Sequence, residues 1–283
     1  MDQYAEWQKS RHAKAFTSKE FASQSDHYAD SDCLFCHVPG DVLDPKQQTR
    51  QYNRQEGVTC ISCHLHDQAM QGPHVTDGLF SPHAVDQNNK VNSRLDSPVL
   101  CGVCHVETFE QWQEQQQGQD LFPTCHGCHG APVTRRHTKG TNMFSSLLVA
   151  FEDEHEVRSH HLMLPGHLEN VMAPQIRLLS DTDDGVTLEI LNTLPHDLPT
   201  GSFGEKQMRI QLQRLRNGDE LDRISRDIPE VLSPGQRLVM TLRLRHAELS
   251  RQIQVSLLRL HGTTHTTTLI QRITYPQETN DQP

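Results

Sequence analysis

Apolar and polar side chains alternate with a period of two along the second part of the chain. Val186, Leu188 and Ile190, for example, alternate with Thr187 and Glu189. Alternation of this kind predicts β-strands that bury one face and expose the other. The same pattern predicts strands at residues 186–191, 208–213, 238–245, 252–260 and 266–274.

Turn sequences separate these predicted strands. Asn217-Gly218 and Pro234-Gly235 are of the residue types that reverse the chain between strands. Several short strands at this spacing predict an antiparallel β-sandwich. The pattern begins after Pro165-Gly166, so we expect a domain boundary there, with domains of residues 1–165 and 166–283.

Residues 1–165 lack this alternation. Segments rich in Gly, Pro, Asn and Asp predict short helices joined by loops. One longer helix is expected at residues 145–163. The predicted fold class is therefore α + β, with a helical N-terminal domain followed by an antiparallel β-sandwich.

All eight cysteines lie in four copies of Cys-x-x-Cys-His. Residues three and four apart lie on one face of a helical turn, so two thiols and one imidazole can meet the same group. This is the attachment motif of c-type haem, in which the thiols form thioethers and the imidazole is the proximal iron ligand. The predicted attachment residues are Cys33, Cys36, Cys60, Cys63, Cys101, Cys104, Cys125 and Cys128, and the proximal ligands are His37, His64, His105 and His129.

Two other uses of these cysteines are weaker predictions. Paired Cys-x-x-Cys motifs also build structural zinc sites, and eight cysteines in an exported protein could form four disulfides. Neither use explains the histidine that follows each second cysteine. The sequence therefore favours four covalently bound c-type haems, with their iron, as cofactors of a multihaem cytochrome c domain at residues 1–165.

Composition and charge agree with such a domain. Hydrophobic residues make up 34% of the 283 residues, which is lean for a globular protein, and four apolar macrocycles would complete the core. Residues 1–170 carry 13 Lys and Arg against 22 Asp and Glu. This balance excludes a typical nucleic-acid-binding domain. It favours redox partner proteins with a basic docking patch, although an acidic surface also serves solubility alone.

The expected location is the periplasm or the cell exterior. Haem attachment to this motif takes place outside the cytoplasm in bacteria. The sequence has no apolar run long enough to span a membrane, and its polar first residues do not resemble a signal peptide. We therefore expect that an export signal has been removed.

Each haem iron has a second axial position. Histidine there gives an electron-transfer centre, whereas an open position permits catalysis. The chain has 19 histidines, so 15 remain outside the motifs, and the count alone assigns none of them. His74 and His83 each follow a proline that restrains the loop, and both are candidate distal ligands.

The segment from Trp7 to Ala15, Trp-Gln-Lys-Ser-Arg-His-Ala-Lys-Ala, resembles the Trp-x-x-Ser/Thr-x-His-Ala segment of multihaem cytochromes. The Gly-Val-Thr sequence before Cys60 also resembles the Gly-Val-x that precedes a haem-binding cysteine in these cytochromes. The likeness is to the tetrahaem cytochrome family that accepts electrons from hydroxylamine oxidoreductase, over roughly residues 5–130. In that family the early histidine is a distal ligand. The resemblance implies that His12 ligates the haem of His64.

Two further candidates rest on similar resemblances. The Arg-Arg-His segment at His137 resembles ligand segments that follow the last haem of related proteins. The Asn-x-x-x-His-x-x-Pro-Thr-Gly loop at His196 is similar to one in β domains appended to multihaem cytochromes, although two prolines and a glycine also suit a plain turn. In the tetrahaem family a Cys-x-x-Cys-His motif precedes the Trp segment. This chain departs from that order, because no motif precedes Trp7 and its fourth motif begins at Cys125.

These features predict an electron carrier in which electrons hop singly between closely packed, mostly bis-histidine haems. One alternative is a multihaem oxidoreductase that acts on a small nitrogen or sulfur compound, which requires an open iron position. Another is a homo-oligomer, such as a subunit of an extracellular cytochrome filament, with a ligand donated by the neighbouring chain. The resemblance alone raises the filament alternative.

Overall fold

The computed structural model describes residues 2–44, 46, 48–66, 69–71, 95, 97–136, 140, 142–151, 153–162, 172–201, 206–228, 230–245, 249–250, 252–261 and 266–275. The chain divides into two compact units. Unit 1 comprises Met1–Phe109 and Pro123–Met163, and unit 2 comprises Glu110–Phe122 and Leu164–Pro283. Residues 110–122 thus group with the C-terminal part of the chain.

Short helices dominate unit 1, as the sequence predicts. Three of them contain a complete Cys-x-x-Cys-His motif. A 3-10 turn at His12–Lys14 follows the first helix. The helices are α1 (Asp2–Lys9), α2 (Lys19–Gln24), α3 (Ser31–His37), α4 (Cys60–His64), α5 (Val99–Gly102), α6 (Val106–Gln116, which continues into unit 2), α7 (Cys125–His129) and α8 (Met143–Val149).

Polar side chains fix where the motif helices begin. The Asp30 carboxylate accepts the backbone N–H of Asp32 ahead of α3, and the Thr124 hydroxyl accepts that of Gly127 in α7. Thr59 and Ser62 form a reciprocal capping box at α4. N-caps of this kind satisfy amide donors that the first helical turn leaves without partners. The helical turns of the first, second and fourth motifs therefore start at defined residues, whereas the third motif extends past the end of α5.

The described residues of unit 1 also form two small hairpins. The first pairs β1 (Leu65–His66) with β2 (Ala69–Met70), and the second pairs β3 (Pro132–Arg135) with β4 (His155–Arg158). The helix expected at 145–163 is wrong in extent. Only α8 is helical, and the chain then turns into β4, whose backbone pairs with β3 instead of continuing a helix.

The side-chain cores of unit 1 are small. One cluster contains Phe21, Leu34 and Val38. Another contains Val42, Leu95 and Leu100, with the Cys63 side chain packed against it. The described side chains of this unit thus form only limited apolar cores, in line with the lean composition.

Unit 2 contains two antiparallel sheets. The strands are β5 (Gln175–Thr182), β6 (Gly185–Leu191), β7 (Lys206–Arg216), β8 (Asp219–Ile228), β9 (Arg237–Leu242), β10 (Gln252–His261) and β11 (Thr266–Tyr275). One sheet has the order β11-β10-β7-β8 and the other has the order β5-β6-β9.

One apolar core joins the two sheets. Leu188 and Ile190 from β6 lie in the same buried cluster as Ile210 from β7 and Val255 from β10. The period-two pattern therefore identified β6, β7, β9, β10 and β11, whereas it did not predict β5 and β8. Both predicted turns are present between strands, and Gly218 and Gly235 adopt positive φ values of 87° and 76°. Among the described residues, no helix is long and apolar enough to cross a membrane.

Candidate haem-binding site

The attachment cysteines of several motifs lie side by side in unit 1. The Cys36 side chain lies next to that of Cys104, and the Cys101 side chain lies next to that of Cys125. Cys63 is close enough to Cys101 and Cys104 to influence both electrostatically. All four motifs therefore present cysteines in one region of the unit.

Hydrogen bonds to backbone carbonyls fix the orientation of two of the predicted proximal histidines. Nδ1 of His37 lies 2.6 Å from the Ala15 carbonyl, and Nδ1 of His64 lies 2.8 Å from the Gln71 carbonyl. A carbonyl oxygen can only accept, so Nδ1 carries the proton and Nε2 keeps its lone pair. Hydrogen bonds of this kind orient metal-ligating imidazoles in general. The Phe21 ring stacks on His37 at 3.9 Å and holds that imidazole further.

The His12 ring faces the ring of His105, the proximal histidine of the third motif. Their centroids are 6.2 Å apart and their planes are inclined by 37°. The pKa of His12 is lowered to about 4, because burial and then the nearby His105 and His126 disfavour its protonated form. His12 is thus a neutral imidazole at physiological pH, the form that ligates metals.

The His160 ring faces the ring of His64 in the same way. The two centroids are 6.0 Å apart with an interplanar angle of 31°. Burial, followed by the proximity of His64, lowers the pKa of His160. His160 is the second residue after β4, and its neighbour Ser159 donates its backbone N–H to the Ala131 carbonyl at 2.9 Å. The end of the β3–β4 hairpin therefore positions this imidazole.

Both ring pairs fit an iron ligated from two sides. Imidazole nitrogens bind first-row metals at roughly 2.0–2.1 Å, so rings on opposite sides of one ion have centroids about 6 Å apart. Exposed apolar side chains flank the motifs and offer surface on which a macrocycle can pack. These are Phe35 inside the first motif, and Val99 and Val106 on either side of the third. The residues present fit covalently bound haem.

The ring geometry differs from the expected ligation of the His64 haem by His12. The backbone of His12 does lie beside the second motif, because Val58 donates its N–H to the His12 carbonyl at 3.0 Å. Trp7 anchors α1 at the same place, with its indole N–H on the Val58 carbonyl at 2.7 Å. The imidazole, however, is directed at His105. The resemblance located the segment and missed the direction of its side chain.

His160 received no assignment from the sequence. It was one of 15 non-motif histidines, and neither its neighbours Ser159 and His161 nor its spacing from a motif distinguishes it. Its position depends on the β3–β4 pairing, which brings residues 132–135 and 155–158 together. Because β3 and β4 each have only four residues, a periodic signal for this hairpin is weak.

His196 lies in unit 2, in a well-fixed loop between β6 and β7. The Asn192 side chain donates to the backbone carbonyls of His196 at 2.9 Å and of Leu232 at 2.7 Å. His196 Nδ1 lies 3.1 Å from the Asp197 carbonyl, which accepts a hydrogen bond in the tautomer that carries the proton on Nδ1. Its role as a distal ligand stays a prediction. The other candidates, His74, His83 and His137, lie outside the described residues.

The rival uses of the cysteines find little support in the geometry. No disulfide joins any of the eight cysteines. Within the described part of the chain, no group of three or more His, Cys, Asp or Glu residues is arranged to hold a metal ion. A tetrahedral zinc site needs four such ligands around one point. The geometry is therefore compatible with the predicted haem attachment and offers no support for either rival use.

Comparisons with known proteins agree with this arrangement. Residues 1–65 match the family model described as Cytochrome c554 and c-prime. A penta-heme cytochrome c552 from Thermochromatium tepidum superposes with a TM-score of 0.55 at 14% identity, over 96% of this chain and 95% of that one. A β-glucuronidase from Bacteroides uniformis covers 36% of this chain and 12% of its own at 17% identity, with a TM-score of only 0.20.

No curated protein matches the chain. The Thermochromatium tepidum protein carries five haems by its description, whereas this sequence has four attachment motifs. At 14% identity, the likeness shows a shared fold over nearly the whole chain. Taken with the family match to the first 65 residues, it supports a multihaem c-type cytochrome.

Proposed function

We propose that the chain is an exported electron-transfer protein that carries four covalently bound haems in unit 1, with unit 2 as an appended β-sandwich. The observation that carries this proposal is the pair of facing imidazoles at two motifs. His12 faces His105 and His160 faces His64, at centroid distances of 6.2 and 6.0 Å. In this proposal, these are the axial ligand pairs of two irons.

Haem bound at these sites supplies one-electron chemistry at iron, with a potential that depends on axial ligands and burial. The chain's own residues bind and orient it. Cysteines anchor each group covalently, and the Ala15 and Gln71 carbonyls fix two proximal rings. The thiol contacts Cys36–Cys104 and Cys101–Cys125 place the attachment points of three motifs next to each other. Neighbouring attachment points favour short hops for single electrons.

The paired histidines also bear on the alternative of a multihaem oxidoreductase. A substrate that reacts at iron needs an open or exchangeable axial position. At the two paired sites, histidine is available for both axial positions. Electron transfer is therefore the better-supported role for these two irons. For the redox partner we keep the proposal of a protein with a basic docking patch, given the net charge of −10.

Haem stoichiometry gives the first test. The intact mass should exceed that of the polypeptide by four haems, and the haem should survive denaturation and acid–acetone extraction. Extractable haem, or a mass gain of zinc only, would contradict covalent attachment.

Electron paramagnetic resonance (EPR) of the oxidised protein tests the ligands. His12→Ala and His160→Ala should each convert one low-spin haem to high-spin, while mass spectrometry still shows four haems. His196→Ala in the same experiment tests the predicted role of that residue. A spectrum unchanged by both His12→Ala and His160→Ala would overturn the ligand pairs.

A further inference from the structure

A buried carboxylate links α1 to the histidine that faces the second motif. Glu6 binds Arg135 through two hydrogen bonds, from Nη1 at 2.7 Å and from Nη2 at 3.2 Å. The same carboxylate accepts the backbone N–H of His160 at 2.8 Å. Only 14% of the Glu6 side chain and 12% of the Arg135 side chain are exposed. One acidic group thus joins three segments that are distant in sequence.

These contacts restrain His160 from both sides of its backbone. Ser159, just before it, bonds to the Ala131 carbonyl. After it, the His161 N–H points to the Ser159 hydroxyl at 3.3 Å. The Glu6 carboxylate holds the amide of His160 itself between these two points. Glu6 therefore helps to fix the backbone position from which the imidazole extends.

The Glu6 carboxylate forms an ion pair with Arg135, with 2.7 Å between Oε1 and Nη1, and it also accepts the His160 N–H. Hydrogen bonds to an ionised acceptor are stronger than those between neutral groups. A buried charge pair is also costly to break, since the remaining partner loses its compensation. Burying this ion pair therefore costs more desolvation free energy than burying a neutral pair at the same position would.

We infer that Glu6 is a positioning residue of the second haem site: with Arg135 it clamps His160 opposite His64 and sets the local charge at that iron. This inference rests on the proposed function, because it takes His160 and His64 as the ligands of one iron. Loss of the carboxylate charge leaves Arg135 uncompensated beside the site. A positive charge near the iron favours its reduced form, so the reduction potential rises.

The variants Glu6→Gln and Glu6→Ala separate the two roles. Glu6→Gln keeps an acceptor for the His160 N–H and removes the charge. We expect four low-spin haems, with the reduction equilibrium of one shifted at least tenfold toward the reduced form, which is about 59 mV for one electron. Glu6→Ala removes the clamp as well and should make one haem high-spin.

Two further variants complete the experiment. Glu156→Gln removes the same charge from an exposed residue of β4, four positions before His160, and should change neither spectrum nor potential. The double variant Glu6→Gln with Arg135→Met restores local neutrality and should return the potential toward that of the parent protein. Haem-linked mass spectra and spectroelectrochemical titration measure haem content and potential for every variant.

The outcomes distinguish this inference from the proposed function. Unchanged spectra and potentials in both Glu6 variants would overturn the positioning role, as would an equal shift in Glu156→Gln. If His160→Ala leaves every haem low-spin, the ligand pair itself is wrong, whatever the Glu6 variants do. If His160→Ala produces one high-spin haem and neither Glu6 variant changes a spectrum or a potential, the ligand pair stands and the role of Glu6 falls.

Discussion

At the scale of single residues, the backbone geometry of Gly57 fixes the position of His12, a proposed iron ligand. Its φ is +62°, and a Cβ added there would lie 2.4 Å from the His12 carbonyl oxygen and 3.0 Å from the Ala15 nitrogen. Both atoms belong to the backbone, so neither can move aside without displacing the segment that carries His12. Only glycine combines this conformation with so close an approach.

Gly57→Ala should therefore destabilise unit 1 and disturb the site of the third motif. The strained backbone alone costs about 1–3 kcal/mol, and the clash adds to it. We expect partial conversion of one haem to high-spin, measured by EPR, and a lower urea midpoint. Gly118→Ala is the matched control, because Gly118 also has a positive φ, of +74°, with no atom within 4 Å of the added Cβ. Equal effects of the two variants would contradict the role of the close approach.

How far single residues can be predicted from the sequence depends on the range of the interaction. The predicted haem-binding cysteines and their histidines form a local pattern within five residues, so the spacing alone predicts them. The proposed distal ligands come from remote segments. His12 was identified as a candidate ligand through a resemblance, but its partner depends on where the ring points. His160 and Glu6 acquire their positions only when β4 and α1 pack, so no local signal distinguishes them.

At the scale of elements, the loop between the first two motifs is organised around one buried arginine. The Arg50 side chain donates to backbone carbonyls of Tyr52 at 3.0 Å, Asn53 at 3.1 Å and Gly57 at 2.8 Å, and to the Thr59 hydroxyl at 2.7 Å. Arg50 is only 4% exposed. Its guanidinium fixes the segment that precedes α4, which contains a single 3-10 turn at Arg54–Glu56.

Arg50→Met should destabilise the protein by about 1–3 kcal/mol for each buried acceptor left unsatisfied, less what water recovers. The measurement is the change in free energy of unfolding from urea titration. Arg54→Met serves as the control, since the Arg54 side chain donates to the Arg50 carbonyl and to the exposed Gln51 side chain. A loss for Arg50→Met no larger than that for Arg54→Met would show that the buried network contributes little.

The β strands of unit 2 contain a comparable feature. Arg214 in β7 is fully buried and pairs with Asp181 in β5, with Nη2 at 2.7 Å and Nη1 at 3.1 Å from the carboxylate oxygens. Arg209 in the same strand forms an exposed pair with Asp227 in β8. The two pairs share their chemistry and differ in exposure.

Asp181→Asn should cost about 3–5 kcal/mol, because it leaves a buried guanidinium without its counter-charge. Asp227→Asn should cost at most about 1 kcal/mol, because water screens an exposed pair. Thermal and urea unfolding of the two variants measures both values. Similar losses would contradict the expected dependence on burial.

The elements of the two units differed in how well the sequence predicted them. In unit 2 the alternation of apolar residues identified β6, β7, β9, β10 and β11, because each strand buries one face against a shared side-chain core. In unit 1 the short helices follow from the motifs and their caps. The prediction of a long helix at 145–163 was wrong, because the apolar residues of this segment do not indicate that residues 155–158 pair with β3.

At the scale of the whole molecule, the origin of the axial ligands separates a carrier from a filament subunit. Both facing pairs, His12 with His105 and His160 with His64, come from one chain. If a neighbouring chain donated the ligand, the fraction of ligated iron would instead rise with protein concentration. The two architectures therefore predict different behaviour on dilution.

At least two haems should stay low-spin at every protein concentration, as measured by EPR from micromolar to millimolar samples. The double variant His12→Ala with His160→Ala should show two high-spin irons at every concentration, because neither missing ligand can be supplied by assembly. The parent protein is the control, and added imidazole should restore the low-spin signal in the variant. A high-spin signal that disappears from the double variant on concentration, without imidazole, would show that a second chain supplies the ligand and would favour the filament alternative.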